Sequence, residues 1–596
     1  MNSAIQSALE TAISQLKTDG TLPADWQDKS SLSRTKDRNH GDFASNIAML
    51  AAKAAGAKPR DLAEKIVGAL PTSDSILKVE IAGPGFINFF LNDDQRFAIL
   101  DQIAAGGDIY GENKLNAGKT VQVEFVSANP TSSLHVGHGR GAAYGMTVAR
   151  LLEATGYQVQ REYYVNDAGR QMDILATSTY LRYLERCGQT LTFPQNAYKG
   201  DYVYDIAQHI LDKHGKVFER AAADVFNDVP ADVVYGEKDS EGNPTILSGD
   251  KEKHIDGLIQ NSQKLLGAEG YAVFHQQALN EILDDIKDDL GEFGVHFDKW
   301  FSEATLKDKI TEALAILQDK GFLYEKDSNI WFRSTDFGDE KDRVVQRKNG
   351  LTTYFAADIA YHLNKYQRGF DHIVDIWGAD HHGYIARVKA AISALGYDPE
   401  KLTVLLVQFV SLWRSGVAVQ MSSRSGSFVT LRELRQEVGN DAARFYYVMR
   451  KSVQHIDFDL DLAVSQSKDN AVYYIQYAHA RVHRMLEKVA SLGLTFDAKV
   501  GRAAASRLVE TVEAELLAKL AAYPDVLNNS ASQHEPHQLG NYLKELASLF
   551  HGWYNEHKVI GDDVELMQAR LLLSVSVRQV IHNGLLLLGV SAPVSM

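Results

Sequence analysis

The sequence predicts a multidomain α/β protein. Its core is a doubly wound parallel sheet with helical insertions, set between a small α+β module and an all-α bundle. Three observations predict this. Near residue 125 a strand, a loop and a helix succeed one another, and a second strand follows at 158–165. After a long helical stretch, apolar strand-like runs return at 330–332, 372–377 and 402–412. Beyond about Ser465 only helical periodicity remains.

Residues 1–110 read as a separate module. An amphipathic opening helix leads to Asn39-His40-Gly41-Asp42-Phe43-Ala44-Ser45-Asn46, then to an alanine-rich helix ending at Ala55. Another helix follows Lys58-Pro59-Arg60, and 79–89 reads as two short strands about Gly83-Pro84-Gly85. The boundary falls within 106–119. The central unit, 111–465, carries an insertion at about 170–294, within which 237–250 reads as a polar loop. In 466–596, four long amphipathic helices are expected, at 469–492, 503–522, 537–557 and 566–588.

The most informative segment is Ala128-Asn129-Pro130-Thr131-Ser132-Ser133-Leu134-His135-Val136-Gly137-His138, which lies between the strand at 121–125 and a helix over 141–155. Free backbone N–H groups and the positive dipole end at a helix start favour phosphate. His135 and His138 are three residues apart and share a face in a helical first turn, where two imidazoles can donate to oxygens that gain charge. Gly137 lets a flat purine lie close to the backbone. Two solvated surface histidines are the competing reading. A metal site lacks neighbouring ligands.

Composition narrows the class. One cysteine, Cys187, excludes an internal disulfide framework and any zinc site built on cysteines. Glu10 interrupts any secretory apolar segment, and no apolar run approaches 18 residues, so a cytoplasmic protein without membrane contact is expected. The net charge of −15 argues mildly against nucleic acid, yet local basic clusters such as Arg481, His483, Arg484 and Lys488 leave it open.

Further constellations follow the strands. Met421-Ser422-Ser423-Arg424 lies in a small-residue loop with one cation that can close over a triphosphate; a plain surface loop is the alternative. Tyr354, Asp358 and Tyr361 fall on one helix face, an acid between two rings, which suits a guanidinium. Glu124, Asn129 and Glu303 are further candidates for a cation pocket. In Trp377-Gly378-Ala379-Asp380-His381-His382, Gly378 permits close approach and Asp380 can accept from ribose hydroxyls. Metal binding there is disfavoured, because adjacent residues rarely ligate one ion.

The loop at 128–138 together with Met421 to Arg424 resembles the paired signatures of class I aminoacyl-tRNA synthetases. Longer strings are similar to the arginyl-tRNA synthetase family: Glu124-Phe-Val-Ser-Ala-Asn-Pro130, Tyr164-Val-Asn-Asp-Ala-Gly-Arg-Gln171, Phe337-Gly-Asp-Glu-Lys-Asp342, Tyr354-Phe-Ala-Ala-Asp-Ile-Ala-Tyr361 and Tyr473-Tyr-Ile-Gln-Tyr-Ala-His-Ala-Arg481. His40-Gly-Asp-Phe43 with Gly83-Pro-Gly-Phe86 resembles the family's N-terminal tRNA-contacting module.

The resemblance implies a Rossmann-type catalytic domain at 111–465, a tRNA-contacting domain at 1–110 and a helical anticodon-binding domain at 466–596. It implies L-arginine, ATP with Mg2+ and tRNA(Arg) as partners, no structural metal, and a family need for bound tRNA before arginine is activated. By resemblance His135, His138 and Arg424 are catalytic, while Gly137, Gly378, Asp380, Met421, Ser422 and Ser423 bind ATP. Glu124, Asn129, Glu303, Tyr354 and Asp358 hold arginine. In the anticodon domain Tyr477, Arg481 and Trp553 are tRNA-binding candidates, the two aromatics as exposed stacking surfaces. Gln420 and Ser423 replace lysines common in the class, so the cation for the β- and γ-phosphates is open. Ser132-Ser133 replaces a commoner Gly-Pro. A synthetase of other specificity and a non-catalytic tRNA-binding paralogue are the alternatives. A monomer is the default expectation.

Overall fold

A computed structural model describes residues 2–28, 30, 32–35, 40–73, 75–238, 244–419 and 429–596. The N-terminal module contains α1 (Asn2–Thr18), β1 (Leu32–Arg34), β2 (Phe43–Ser45), α2 (Ile47–Ala51), α3 (Pro59–Gly68), β3 (Ile76–Ala82) and β4 (Phe86–Leu91). Its antiparallel sheet has the order β1-β2-β4-β3. Apolar residues of α1, α2 and α3, including Ile5, Ile47, Leu62 and Ile66, pack on Phe43, Ile87 and Phe89 into a core of their own. The alanine-rich helix is shorter than expected, ending at Ala51 instead of Ala55. Next, α4 (Asp93–Gly106) contributes Phe97, Leu100 and Ile103 to the main core, not to the N-terminal one.

The central sheet is parallel. β5 (Thr120–Glu124) leads through α5 (Val136–Ala154) to β6 (Gln158–Val165). The insertion follows as α6 (Arg170–Cys187), α7 (Asp201–His214), α8 (Ala222–Val225), the strands β7 (Val234–Lys238) and β8 (Pro244–Ser248), and α9 (Lys251–Glu292). Within the polar loop expected at 237–250, Glu237 and Lys238 belong to β7 and Pro244–Ser248 form β8, two strands that pair antiparallel. Alternation in Val234-Tyr-Gly-Glu-Lys and Thr245-Ile-Leu-Ser is short and easily lost among polar residues. Gly267 (φ 68°, ψ 173°) breaks α9.

β9 (Lys299–Ser302) returns to the central sheet. Then come α10 (Lys307–Asp319), the antiparallel strands β10 (Leu323–Lys326), β11 (Asn329–Phe332) and β12 (Arg343–Gln346), and α11 (Tyr354–Gln367). β13 (His372–Gly378), α12 (Tyr384–Leu395) and β14 (Leu402–Val407) complete the sheet, whose order is β14-β13-β5-β6-β9. Chain order reverses between β5 and β13, so the crevice beyond their carboxyl ends is the place where such sheets bind ligands.

The run 402–412 is not one strand. After Gln408 the chain leaves the sheet, and β15 (Val410–Arg414) pairs with β16 (Val417–Ala418) and, in parallel, β17 (Ile456–Asp459). Between them lie α13 (Leu431–Val438) and α14 (Asn440–Val448); α15 (Leu460–Val464) follows.

The C-terminal bundle comprises α16 (Ala471–Ser491), α17 (Ala498–Ala503), α18 (Thr511–Ala521), α19 (Tyr523–Ser532), α20 (Pro536–Glu556) and α21 (Val564–Leu588). The single helix expected over 503–522 is broken: a 3-10 turn at Ala505–Arg507 separates α17 from α18, and Pro524 starts α19. α21 reaches a mean hydropathy of 1.5 over 18 residues, enough in length and composition for a membrane span. Two thirds of that window is buried, and α21 packs on α16, α17 and α20, so it is the core helix of the bundle.

Candidate active site

The helix that carries the histidines begins five residues earlier than its apolar pattern suggests. His135 is the N-cap of α5, with extended backbone (φ −98°, ψ 168°). Its Nδ1 accepts from the Gly137 N–H at 3.1 Å, and His138 Nδ1 accepts from the His135 N–H at 3.3 Å. A nitrogen that accepts carries no proton, so each ring holds its proton on Nε2. Burial pushes the His135 imidazole below its usual range; burial and then the neighbouring His135 push His138 down to about 3. The rings stack with centroids 3.6 Å apart. The site therefore presents two imidazoles, shifted toward the neutral form and each protonated on Nε2, at a helix start that favours anions.

The loop before them is held from two sides. Ser133 Oγ donates to Asp285 of α9 at 2.8 Å. Leu134 O accepts from the Leu431 N–H at 2.8 Å, and the Val136 N–H donates to Val429 O at 3.2 Å. Met421, Ser422, Ser423 and Arg424 of the second signature lie outside the described residues. Arg140, buried on α5, donates to the carbonyls of Gln408 and Lys451 at 2.7 and 3.0 Å and so ties the histidine helix to the end of β14.

At the end of β5 the backbone turns through positive φ at Val126 (68°) and Ser127 (42°). A β-branched residue rarely adopts that conformation, which persists only where surroundings enforce it. Ser127 Oγ donates to Glu124 Oε1 at 2.9 Å and accepts from the Tyr164 N–H at 3.1 Å, and Tyr163 Oη donates to Ala128 O at 3.0 Å. This turn aims the Glu124 carboxylate and Asn129 into one cavity.

That cavity, about 550 Å3, is lined by Glu124, Ala128, Asn129, His135, Gly137, His138, Asp358, Gly378 and Asp380. Thus nine expected site residues from four chain segments converge. A Cβ at Gly378 would lie 2.5 Å from Asp380 Oδ1, so a larger residue there would make the exposed Asp380 carboxylate turn aside. Tyr164, Asn166, Trp377, Gln408 and Phe409 also line the cavity. Only the strand-end positions of Trp377, Gln408 and Phe409 could have flagged them in sequence. Pro130, Thr131, Ser132, Ser133 and Leu134 of the signature do not line it.

One end of the cavity is acidic. Burial, with Glu124 adding repulsion, raises the Asp358 carboxyl to about 6. Burial followed by repulsion from Asp358 and Asp167 raises Glu303 to about 7. Glu303 does not line the cavity but stands within electrostatic reach of Asp358. Asp167 anchors that segment, accepting from Ser302 Oγ at 2.5 Å and from the Ala304 N–H at 2.9 Å. Of the two rings that flank Asp358 along α11, Tyr361 lines the cavity and Tyr354 does not. Tyr354 is 63 % exposed, outside the cavity lining. Tyr361 is buried, its hydroxyl donating to Glu124 and Glu162 at 2.9 and 2.7 Å. Repulsion among buried carboxylates is relieved by a cation, so this end suits a positively charged side chain.

In the bundle, Tyr477 is half-buried and stacked on Tyr473, and the Arg481 guanidinium sits 4.7 Å from its ring centroid. Trp553 is not an exposed stacking surface: it is fully buried, with its indole N–H donating to Glu513 at 3.4 Å. Leu546, Phe550 and Trp553 recur at helical spacing on the apolar face of α20, which places the indole in the core.

Three family models match the chain in order: arginyl tRNA synthetase N terminal domain at residues 3–91, tRNA synthetases class I (R), catalytic domain at 100–485, and DALR anticodon binding domain at 475–596. An arginine–tRNA ligase of Acinetobacter baumannii (strain AYE) is 73 % identical over 597 residues, covering 100 % of both chains. One of Psychrobacter cryohalolentis is 62 % identical, covering 99 % of each. The solved Thermus thermophilus arginyl-tRNA synthetase shares the fold at a TM-score of 0.72 and 21 % identity, covering 99 % of this chain and 100 % of that one. A histidine-capped helix facing an acidic cleft, read with full-length identity of this order, assigns the chain to the arginyl-tRNA synthetase family.

Proposed function

We propose that the protein is an arginine–tRNA ligase. It activates L-arginine with Mg-ATP and then esterifies the terminal ribose of tRNA(Arg). In the first step an arginine carboxylate oxygen forms a bond to the α-phosphorus. The bond from that phosphorus to the bridging oxygen breaks, and pyrophosphate leaves with its magnesium. In the second step a ribose hydroxyl attacks the arginyl carbonyl, its proton is lost and AMP departs.

The observation that carries this reading is the polarity of one cavity, with neutral N–H donors at one end and crowded carboxylates at the other. His135 and His138 are suited to the α-phosphate, where negative charge grows in the transition state. Asp358 and Glu124, with Glu303 behind them, are suited to the guanidinium. Asn129 is a candidate for the amino-acid backbone, Gly378 and Asp380 for adenosine, and Arg424 for the β- and γ-phosphates. Tyr477 and Arg481 are candidates for tRNA contact. Mg2+ enters as part of the Mg-ATP substrate in this reading. A cytoplasmic monomer free of membrane belongs to the same reading.

Arginine-dependent ATP–pyrophosphate exchange, run with and without tRNA, is the test. Exchange that needs both arginine and tRNA, followed by charging of the tRNA, is expected. tRNA binding without exchange would instead identify a non-catalytic binder, and exchange with another amino acid would reassign the specificity.

A further inference from the structure

Beneath the acidic end of the cavity lies a buried row of charge. The strand register sets Asp375 of β13 opposite Glu124 of β5, and Glu124 opposite Glu162 of β6. Three carboxylates therefore stand abreast on neighbouring strands, all buried. Strands in a sheet are only about 5 Å apart, so the row repels itself strongly unless cations are interleaved.

Helix α11 supplies the counterparts. Lys365, with no exposed surface, places its ammonium between Glu124 Oε2 and Asp375 Oδ1, the latter at 2.6 Å. Arg368 pairs with both oxygens of Glu162. His362 lies between two acceptors, with Nδ1 2.8 Å from Asp358 O and Nε2 3.0 Å from Asp375 Oδ2. Of the three acids only Glu124 lines the cavity. Its Oε1 is taken by Ser127 and its Oε2 by Tyr361 and Lys365, so both oxygens are fixed before any ligand arrives.

A buried lysine is costly unless fully paired. Neutralising the row already calls for a cation between two acids, so the distinguishing feature is which acids Lys365 joins. It bridges Asp375, deep in the sheet, to the one acid that faces the cavity. We infer that Lys365 is a positioning residue for substrate binding, locking the Glu124 carboxylate in the orientation that receives the positively charged side chain. The inference rests on the proposed ligase activity and deepens it. Affinity for arginine depends on Lys365, while affinity for ATP, bound at the other end, does not.

The test is tRNA-supported ATP–pyrophosphate exchange, with wild-type exchange on arginine as the control that judges the ligase reading separately. In Lys365→Met, kcat/KM for arginine is expected to fall on the order of 10²-fold, as for misplacement of a substrate-orienting group by about 1 Å. The loss appears in the arginine KM, and the ATP KM stays at the wild-type value. The double variant Lys365→Met/Asp375→Asn removes one charge of each sign; it is expected to recover thermal stability yet keep the raised arginine KM. Return of the arginine KM to wild type in the double variant overturns the inference, since Lys365 would then only neutralise Asp375. Equal changes in both KM values, or failure of the charge-balanced double variant to fold, also count against it.

Discussion

The two ends of the cavity solve opposite problems by opposite means. At the histidine end burial strips charge away, and the caps on α5 fix both protons on Nε2. An anion is met there by neutral donors and backbone dipoles. At the acidic end burial leaves carboxylates with too few cations, and the surplus waits for a substrate cation. Neutral donors tolerate a charge that exists only transiently in a reaction. A permanent charge, such as a guanidinium, is selected by fixed charges of opposite sign.

Substitutions at the two ends should therefore fail differently. The largest effect is expected for Asp358→Ala, which leaves the substrate cation facing an incomplete acid set; loss of one partner of a buried charge pair costs about 2 to 5 kcal/mol, read here in the arginine KM with ATP affinity retained. His138→Ala removes one donor to the transition state, and about 3 to 4 kcal/mol of barrier should appear in kcat while both KM values hold. Gly378→Ala puts a Cβ against Asp380 and turns its exposed carboxylate aside, which should show as a raised ATP KM with little loss of stability.

The smallest effect is one of pH. Asp358 and Glu303 titrate at about 6 and 7, above their usual range, so arginine affinity should weaken as pH falls from 8 to 5.5. The stability sign is the reverse. Carboxyls raised in the folded state stabilise it at low pH, and that contribution is lost as pH rises through 6 to 7. Arginine should accordingly raise the melting temperature more at pH 8 than at pH 6.

The histidine end was legible in sequence because it is local. A strand, a loop with two histidines and a helix occupy some thirty consecutive residues. Apolar runs marked β5, β6, β13 and β14 of the central sheet but not β9. The run at 330–332 belongs to the separate sheet of β10, β11 and β12, and within 402–412 Gln408 and Phe409 separate strands of different sheets. The acidic end was half legible. Glu124 and Asp358 stand out by residue type, but Glu162, Asp375 and Lys365 are far apart in sequence and meet only through strand register. Lys365 alone on a helix reads as a solvated lysine. Trp553 misleads for a related reason: an aromatic ring signals contact without saying whether its partner is substrate, solvent or core.

The most direct test is to measure arginine and ATP kinetics for Asp358→Ala and His138→Ala side by side in tRNA-supported pyrophosphate exchange. A crossed pattern is expected, with the arginine KM raised in the first and kcat lowered at unchanged KM in the second. If both variants lose the same parameter to the same degree, the division of the cavity into a donor end and a charge-selecting end is wrong.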